Sequence, residues 1–189
     1  PTSPGDIKFK DVNGDGVVDF KDRTYIGKSI ADYTLGFNIN LSYKNFDLLT
    51  YSYASVGNDM IRNYERTENK LNKLNYQLDR WTGEGTSNTV PRVTTGASSN
   101  NLFSSYFVED ASFLRIQTIQ LGYSLPKKVI DSFGISKFRL YGSINNVYTF
   151  SKYRGFDATA NTGDPIAGGI DSGFYPAPRI FSIGLNVNF

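Results

Sequence analysis

Residues 33–43, YTLGFNINLSY, alternate between two kinds of side chain, and no other feature constrains the fold of this chain more. Leu35, Phe37, Ile39, Leu41 and Tyr43 stand against Gly36, Asn38, Asn40 and Ser42. A period of two marks a strand with one greasy and one polar face. FDLLTYSYAS (46–55) resumes an extended pattern, and KFRLYGSINNVYTF (137–150) is another strand. RIFSIGLNVNF (179–189) sets Phe181, Ile183, Leu185, Val187 and Phe189 against Ser182, Gly184, Asn186 and Asn188. YFVEDASFLRIQTIQLGYSL (106–125) reads as one long strand that changes phase. Leu114 and Ile116 lie on one face, and Ile119, Leu121 and Tyr123 on the other, which predicts a bulge or bend near Gln117 to Thr118.

The connections alternate in length. Lys44-Asn45 fits a two-residue hairpin turn, since asparagine tolerates positive φ. Residues 126–134 form a compact turn, with Pro126 suited to a first helical position and Gly134 to a stop. From 56 to 105 the alternation fades into a polar stretch (63–81), a short surface helix or an irregular loop, and then a run of turn formers. A second long loop covers 151–178. Adjacent antiparallel strands joined short, long, short, long send every long loop to one side, the habit of outer-membrane barrels. Strand lengths agree, because a tilted membrane strand needs about 9–11 residues. Aromatics also gather near strand ends, at Tyr33, Tyr43, Phe46, Tyr123, Phe138, Tyr148, Phe150 and Phe189, as interfacial girdles do. A soluble β-sandwich would show the same alternation with its apolar face inside, so both architectures stay open here. They differ in whether Phe37, Ile39, Leu41, Ile183 and Leu185 meet lipid or a core. Five strands cannot close a useful barrel, and the opening PTSPGD reads as a cut within a longer protein.

Composition narrows the chemistry. The 189 residues carry a net charge of +2 with no dense basic run, which gives no support for a nucleic-acid partner. With no histidine and no cysteine, the commonest general base and all thiolate chemistry are excluded. An enzyme would need paired carboxylates, and Glu109 and Asp110 are adjacent on a strand and point to opposite faces. The chain is read as a non-enzyme.

One acidic knot stands out: DVNGDGVVDFKD, residues 11–22. Counted from Asp11, oxygen ligands fall where a calcium loop places them, at Asp11, Asn13, Asp15, Asp19 and Asp22. Val17 would offer its carbonyl, and Gly16 takes the sharp turn. Calcium suits such a set because it accepts about 6–8 hard oxygens in irregular geometry. An EF-hand ends its loop with glutamate. The shorter Asp22 resembles the loops of dockerins and weakens binding. The competing reading is an Asx-rich surface turn that binds nothing. Trp81, Tyr106, Tyr153, Phe156 and Phe174 lie in or beside the long loops, where their rings either stack on cargo or lid, or pack the loops together.

The ending SIGLNVNF is similar to the signal that marks barrel proteins for outer-membrane assembly, with Ser182, Gly184, Val187 and Phe189 at the matching places. In order along the chain, GDIKFKDVNGDGVVDFKDRTYIG, YTLGFNINLSYKNFDL, RWTGEGTSNTVPR, YFVEDASFLRIQTIQLGYSLP, NNVYTFSKYRGFD and GGIDSGFYPAPRIFSIGLNVNF resemble the C-terminal part of SusC/RagA-family TonB-dependent transporters. The chain departs from that family where Ala158-Thr159 follow Asp157, and at Asn45, where glycine is common. The resemblance implies a section of a plugged barrel of about 22 strands in the cell outer membrane, in contact with its lipid. It also implies a SusD-like surface lipoprotein as lid, oligosaccharide or peptide cargo, and a TonB link through N-terminal regions outside this sequence. Residues 1–32 would be an extracellular calcium-loop segment, and 33–189 the barrel strands with their long outer loops. The alternative is a secreted calcium-binding β-sandwich, an adhesin or carbohydrate-binding module.

Overall fold

The computed structural model describes residues 2–65, 73–96, 98–160 and 168–189. In chain order its strands are β1 (Tyr33–Tyr43), β2 (Phe46–Val56), β3 (Asp59–Arg62), β4 (Val108–Asp110), β5 (Phe113–Ser124), β6 (Lys137–Ser151), β7 (Ile170–Asp171) and β8 (Ile180–Asn188). A short helix, α1 (Lys127–Ile130), follows β5. Five strands form one antiparallel sheet in the order β1-β2-β5-β6-β8, and β4-β3-β7 form a second, small sheet. The predicted alternation of short and long connections holds, so both long connections and the small sheet lie at one end. No helix among the described residues is long and apolar enough to cross a membrane, which leaves crossing by strands untouched.

Register explains the phase change in β5. Tyr51 pairs with Thr118 and Ser52 with Ile116, so Gln117 is an extra residue. On the other side Ile116 faces Tyr148 and Thr118 faces Asn145, with Asn146 in the left-handed region at φ 53°. The added residue returns Leu114 and Ile116 to the face that holds Ile119, Leu121 and Tyr123. That face continues through Leu48 into Leu35, Phe37, Ile39 and Leu41 of β1. Sequence alternation alone divided these residues; the bulge reunites them.

The reunited face is uncovered. Phe37 is 52% exposed, Ile39 51% and Ile183 86%, and no second sheet interleaves with them among the described residues. Burying such a side chain contributes about 1.5–3 kcal/mol. Leaving a dozen half-covered in water would forfeit on the order of 10–20 kcal/mol, as much as the roughly 5–15 kcal/mol that keeps a whole domain folded. Among the described residues these side chains form no sandwich core, and the face calls for an apolar covering.

Three expectations are corrected. The stretch 106–125 is two strands in different sheets, because Ala111, fully buried, takes the break between β4 and β5 into the loop core. In the β1–β2 hairpin the positive φ falls on Lys44, at 53°, and not on Asn45. A left-handed non-glycine residue costs roughly 1–2 kcal/mol, which the paired ladder of two eleven-residue strands outweighs. Pro126 caps α1 and does not enter it, while Gly134 ends the turn as expected, at φ 67°. Of the polar stretch 63–81, residues 66–72 lie outside the described residues. Within the remainder Asn75–Asp79 forms one 3-10 turn.

The opposite face of the large sheet is polar and holds a wall of cross-strand contacts. The Thr118 hydroxyl donates to Asn145 Oδ1 at 2.9 Å. Arg139 reaches across β5 to pair with Asp47, its Nε 2.8 Å from Asp47 Oδ1, and its guanidinium lies 5.0 Å from the Tyr141 ring centre. This bridge passes directly over Gly122, where any Cβ would collide with both charged groups.

Candidate functional site

The end of the molecule with the long connections carries its own small core of Met60, Ala111, Tyr153 and Ala158, with Phe113 and Ala160 packed against it. β3 anchors this cap by pairing antiparallel with β4 and parallel with β7. Tyr153, grouped above with the aromatics able to meet cargo, is instead buried inside it. Its hydroxyl donates to Asp171 Oδ2 at 2.8 Å, and Asp171 has no exposed surface. Burial, with that hydrogen bond, pushes the Tyr153 hydroxyl far above its ordinary pKa. The ring is a structural pin, because an aromatic with a satisfied polar tip fills a loop core well.

Charged side chains tie the cap together, and sequence reading missed them. Arg62, its side chain fully covered, pairs with Glu65 and Glu109 and donates to the Tyr106 carbonyl at 2.7 Å. Its Nε lies 2.7 Å from Glu109 Oε1 at an angle poor for a hydrogen bond, so that contact is an ion pair only. The guanidinium also lies over the rings of Tyr76, Tyr106 and Phe107, at 5.5, 5.2 and 5.9 Å. Arg154 adds a second cation on Glu109 and on the Tyr76 ring. Glu109 thus faces two arginines while Asp110, on the other face, accepts from the Ser112 amide; the pair does not converge for catalysis. Lower down, Arg115 projects from the polar face of β5 to Asp157 at 2.6 Å and to the Thr149 hydroxyl at 2.7 Å. Burial works against the Asp157 charge, but Arg115 and the Thr159 amide and hydroxyl outweigh it and hold its carboxyl below the usual range. Asp157 therefore anchors its loop although Ala158-Thr159 follow it. A single buried arginine or aspartate has no spacing signature, and these partners are 42 residues apart.

The N-terminal segment is bound to this cap at both ends. Asp6 accepts from both Arg92 Nε (2.7 Å) and Arg92 Nη2 (3.0 Å), and from the Asn100 amide at 2.9 Å. Arg92 foremost, opposed by burial and aided by the Ser3 amide, holds the Asp6 carboxyl far below its usual value. At the other end the Lys28 amide donates to Asp59 and the Asp32 amide to the Val56 carbonyl. Between these anchors the acidic loop projects into solvent.

Within the loop the predicted ligand side chains bond to the loop's own amides and not around a common centre. Asp11 accepts from the amides of Gly14 (2.6 Å) and Gly16 (2.8 Å), and Asn13 from that of Asp15. Asp15 accepts from the amide of Val17, and Asp19 from that of Lys21. Asp22 closes the ring on the amides of Val12 and Asp19, at 2.8 and 2.7 Å. These amides, Asp19 first, hold the Asp22 carboxyl below its ordinary value. Gly16 has φ 86°, the turn that the loop pattern requires of it. Among the described residues no three acidic side chains converge closely enough to hold a metal ion. The spacing fits a cation; the side-chain oxygens face the loop's own amides.

The other singled-out residues are placed as follows. Trp81 and Tyr106 are half-buried and line a common cleft. Phe156 is exposed beside Tyr64, their ring centres 5.8 Å apart, and Phe174 is half-buried next to Asp171. In β8, Ser182 sits on the polar face opposite Ser143, and Gly184 beneath the Tyr141 ring, where a Cβ would clash. Val187 lies on the greasy face opposite Phe138, and Phe189 is fully accessible just past the strand.

No family model matches the chain. Curated relatives do. TonB-dependent receptor P3 of Formosa agariphila is 34% identical over 197 residues, covering 100% of this chain and 19% of the relative. TonB-dependent receptor SusC of Bacteroides thetaiotaomicron is 33% identical, covering 98% and 18%. Among solved structures, the RagAB peptide importer in its closed-closed state superposes with a TM-score of 0.71 at 28% identity, over 93% of this chain and 20% of that one. The RagAB peptide transporter gives 0.71 at 29%, over 85% and 17%. The chain thus spans about a fifth of the length of the relatives that it matches. From end to end in sequence, and in its sheet, this chain is similar to TonB-dependent receptors of the SusC and RagAB kind.

Proposed function

We propose that the chain is the C-terminal wall of an outer-membrane barrel that imports an oligomeric nutrient, glycan or peptide, with energy from the TonB system and a SusD-like lipoprotein as lid. The observation that carries this reading is the uncovered greasy face of a sheet whose long connections all gather at one end. Lipid supplies the apolar solvent that the face requires, and the polar face lines the interior. Relatives named as TonB-dependent receptors, SusC and a peptide importer support the assignment. With the C-terminus on the periplasmic side, the cap and the acidic loop are extracellular, where lid and cargo arrive. Deleting the gene and measuring uptake of the cargo on which the bacterium then fails to grow tests the import reading. Unchanged growth on every polymeric carbon and nitrogen source would overturn it.

The acidic loop belongs to the same proposal as a structural calcium site. Asp11, Asn13, Asp15, Asp19, Asp22 and the Val17 carbonyl would hold the ion, whose charge would pin the loop against the cap. Extracellular modules bind calcium at about 10⁻⁴–10⁻³ M, so a weak loop would remain occupied outside the cell. Calcium would have to turn some carboxylates away from the loop's amides, which is why its effect is local. Chelation should speed tryptic cleavage at Lys21 and Arg23 and leave the strands intact; an unchanged rate sinks the calcium assignment.

A further inference from the structure

The end of the large sheet opposite the cap carries an unbalanced charge. Residues 42–47 and 122–139 bring Lys44, Lys127, Lys128, Lys137 and Arg139 against only Asp47 and Asp131. Arg139 is taken by Asp47, and Lys137 stands two residues away on the same polar face. Lys44, Lys127 and Lys128 are exposed and form no ion pair among the described residues. The two turns that carry them are bonded neighbours, since the Ser124 amide donates to the Asn45 carbonyl at 2.8 Å. At the cap end of the sheet, by contrast, Lys28 and Arg154 are spent on Asp32 and Glu109.

Beside this cation cluster the greasy face is aromatic. Register sets Tyr43 opposite Phe46 and Phe46 opposite Tyr123, so three rings cross β1, β2 and β5 at one level. The Phe46 and Tyr123 ring centres are 4.7 Å apart. Lys44 joins that belt. Its Nζ lies 5.2 Å from the Tyr43 ring centre, a cation–π contact that holds the ammonium on the greasy side of the turn. The backbone there is a poor one for lysine: Lys44 takes the left-handed region, while Asn45, the residue type that tolerates it, does not. A turn that strains a lysine where asparagine would relax it marks a side chain kept for what it touches. Aromatic rings at a membrane–water boundary settle at headgroup depth, and lysines beside them extend their ammonium groups toward water and phosphate. An acidic protein in solution offers no chains for the belt; a lipid with an anionic headgroup supplies both.

We propose that this rim is a docking surface for an anionic phospholipid, its headgroup phosphate among Lys44, Lys127 and Lys128 and its chains along Tyr43, Phe46 and Tyr123. The proposal rests on the import reading, which puts this end of the sheet in the periplasmic leaflet, and deepens it from lipid contact to lipid choice. The test reconstitutes the full-length transporter in nanodiscs of mixed phosphatidylglycerol and phosphatidylcholine, and native mass spectrometry counts the lipids that stay bound. Wild type should retain phosphatidylglycerol over phosphatidylcholine by about tenfold or more, the scale of a few lysines at a charged surface. Lys127→Gln combined with Lys128→Gln, both exposed and outside the ladder, should remove most of that preference. Arginine at the same two positions should keep it, and Lys152→Gln at the cap end should not change it. Heat-modifiable migration on gels confirms that each variant is a folded barrel. Equal retention of both lipids by wild type, or an unchanged preference in the double glutamine variant, would overturn the rim site. Stronger retention of lipopolysaccharide, lost in the same variant, would also overturn it, because that lipid belongs to the other leaflet. Uptake by cells is scored in parallel. Import that persists when the lipid preference fails leaves the transporter reading intact, whereas a wild type that does not enter the bilayer overturns both.

Discussion

The large sheet and the outer cap solve the same problem by opposite means. The sheet turns its greasy side chains outward and its polar ones inward, and regular pairing between neighbouring strands satisfies its backbone. The cap has a small apolar core, two three-residue or shorter strand pairings, and ion pairs buried where ordinary loops would hold water. A repeated ladder tolerates the loss of any one side chain. The cap depends on a few charges, because one buried group left without its partner costs more than any single apolar contact contributes. Charge therefore carries structure in the cap, and the alternation of side-chain polarity carries it in the sheet.

That contrast can be broken at several points. Arg62→Ala should have the largest effect, about 3–5 kcal/mol, since it leaves the covered Glu65 without a cation and Glu109 with Arg154 alone. Hydrogen exchange should rise in β3 and β4 while heat-modifiability of the barrel persists. If the sheet fails too, the two regions are one unit. Ile39→Arg should do the reverse, at about 2–4 kcal/mol for a cation facing mid-membrane lipid. Assembly should fall, whereas Asn40→Arg on the polar face should assemble normally. Gly122→Val should cost about 1–3 kcal/mol by overpacking, through displacement of the Arg139–Asp47 bridge, seen as a lowered unfolding temperature on gels. Smaller still is the acid response of the Asp6 clasp. Its folded pKa is depressed, so its contribution is complete above the unfolded value of about 3.9 and is lost as pH falls further toward the folded one. Protease sensitivity near residues 3–7 should hold steady down to about pH 5 and rise below pH 4. Asp6→Asn should abolish that pH dependence.

Sequence alone located the five strands of the large sheet. Period-two alternation is local, so β1 and β8 can be read from consecutive residues, and connection lengths then place the long loops on one side. The phase change in 106–125 even pointed to a bulge or bend near Gln117 to Thr118, because an extra residue must flip the pattern. Spacing likewise exposed the acidic loop, whose partners all lie within twelve positions. Only the tertiary structure decided the rest. It split β4 from β5, buried Tyr153 against Asp171, joined Asp6 to Arg92, and assembled Arg62 with Glu65 and Glu109. These contacts join segments with no shared periodicity, and their energy comes from desolvated charges whose partners are chosen by the folded chain. A pattern written along the backbone is legible before folding; a pairing made across space exists only after it.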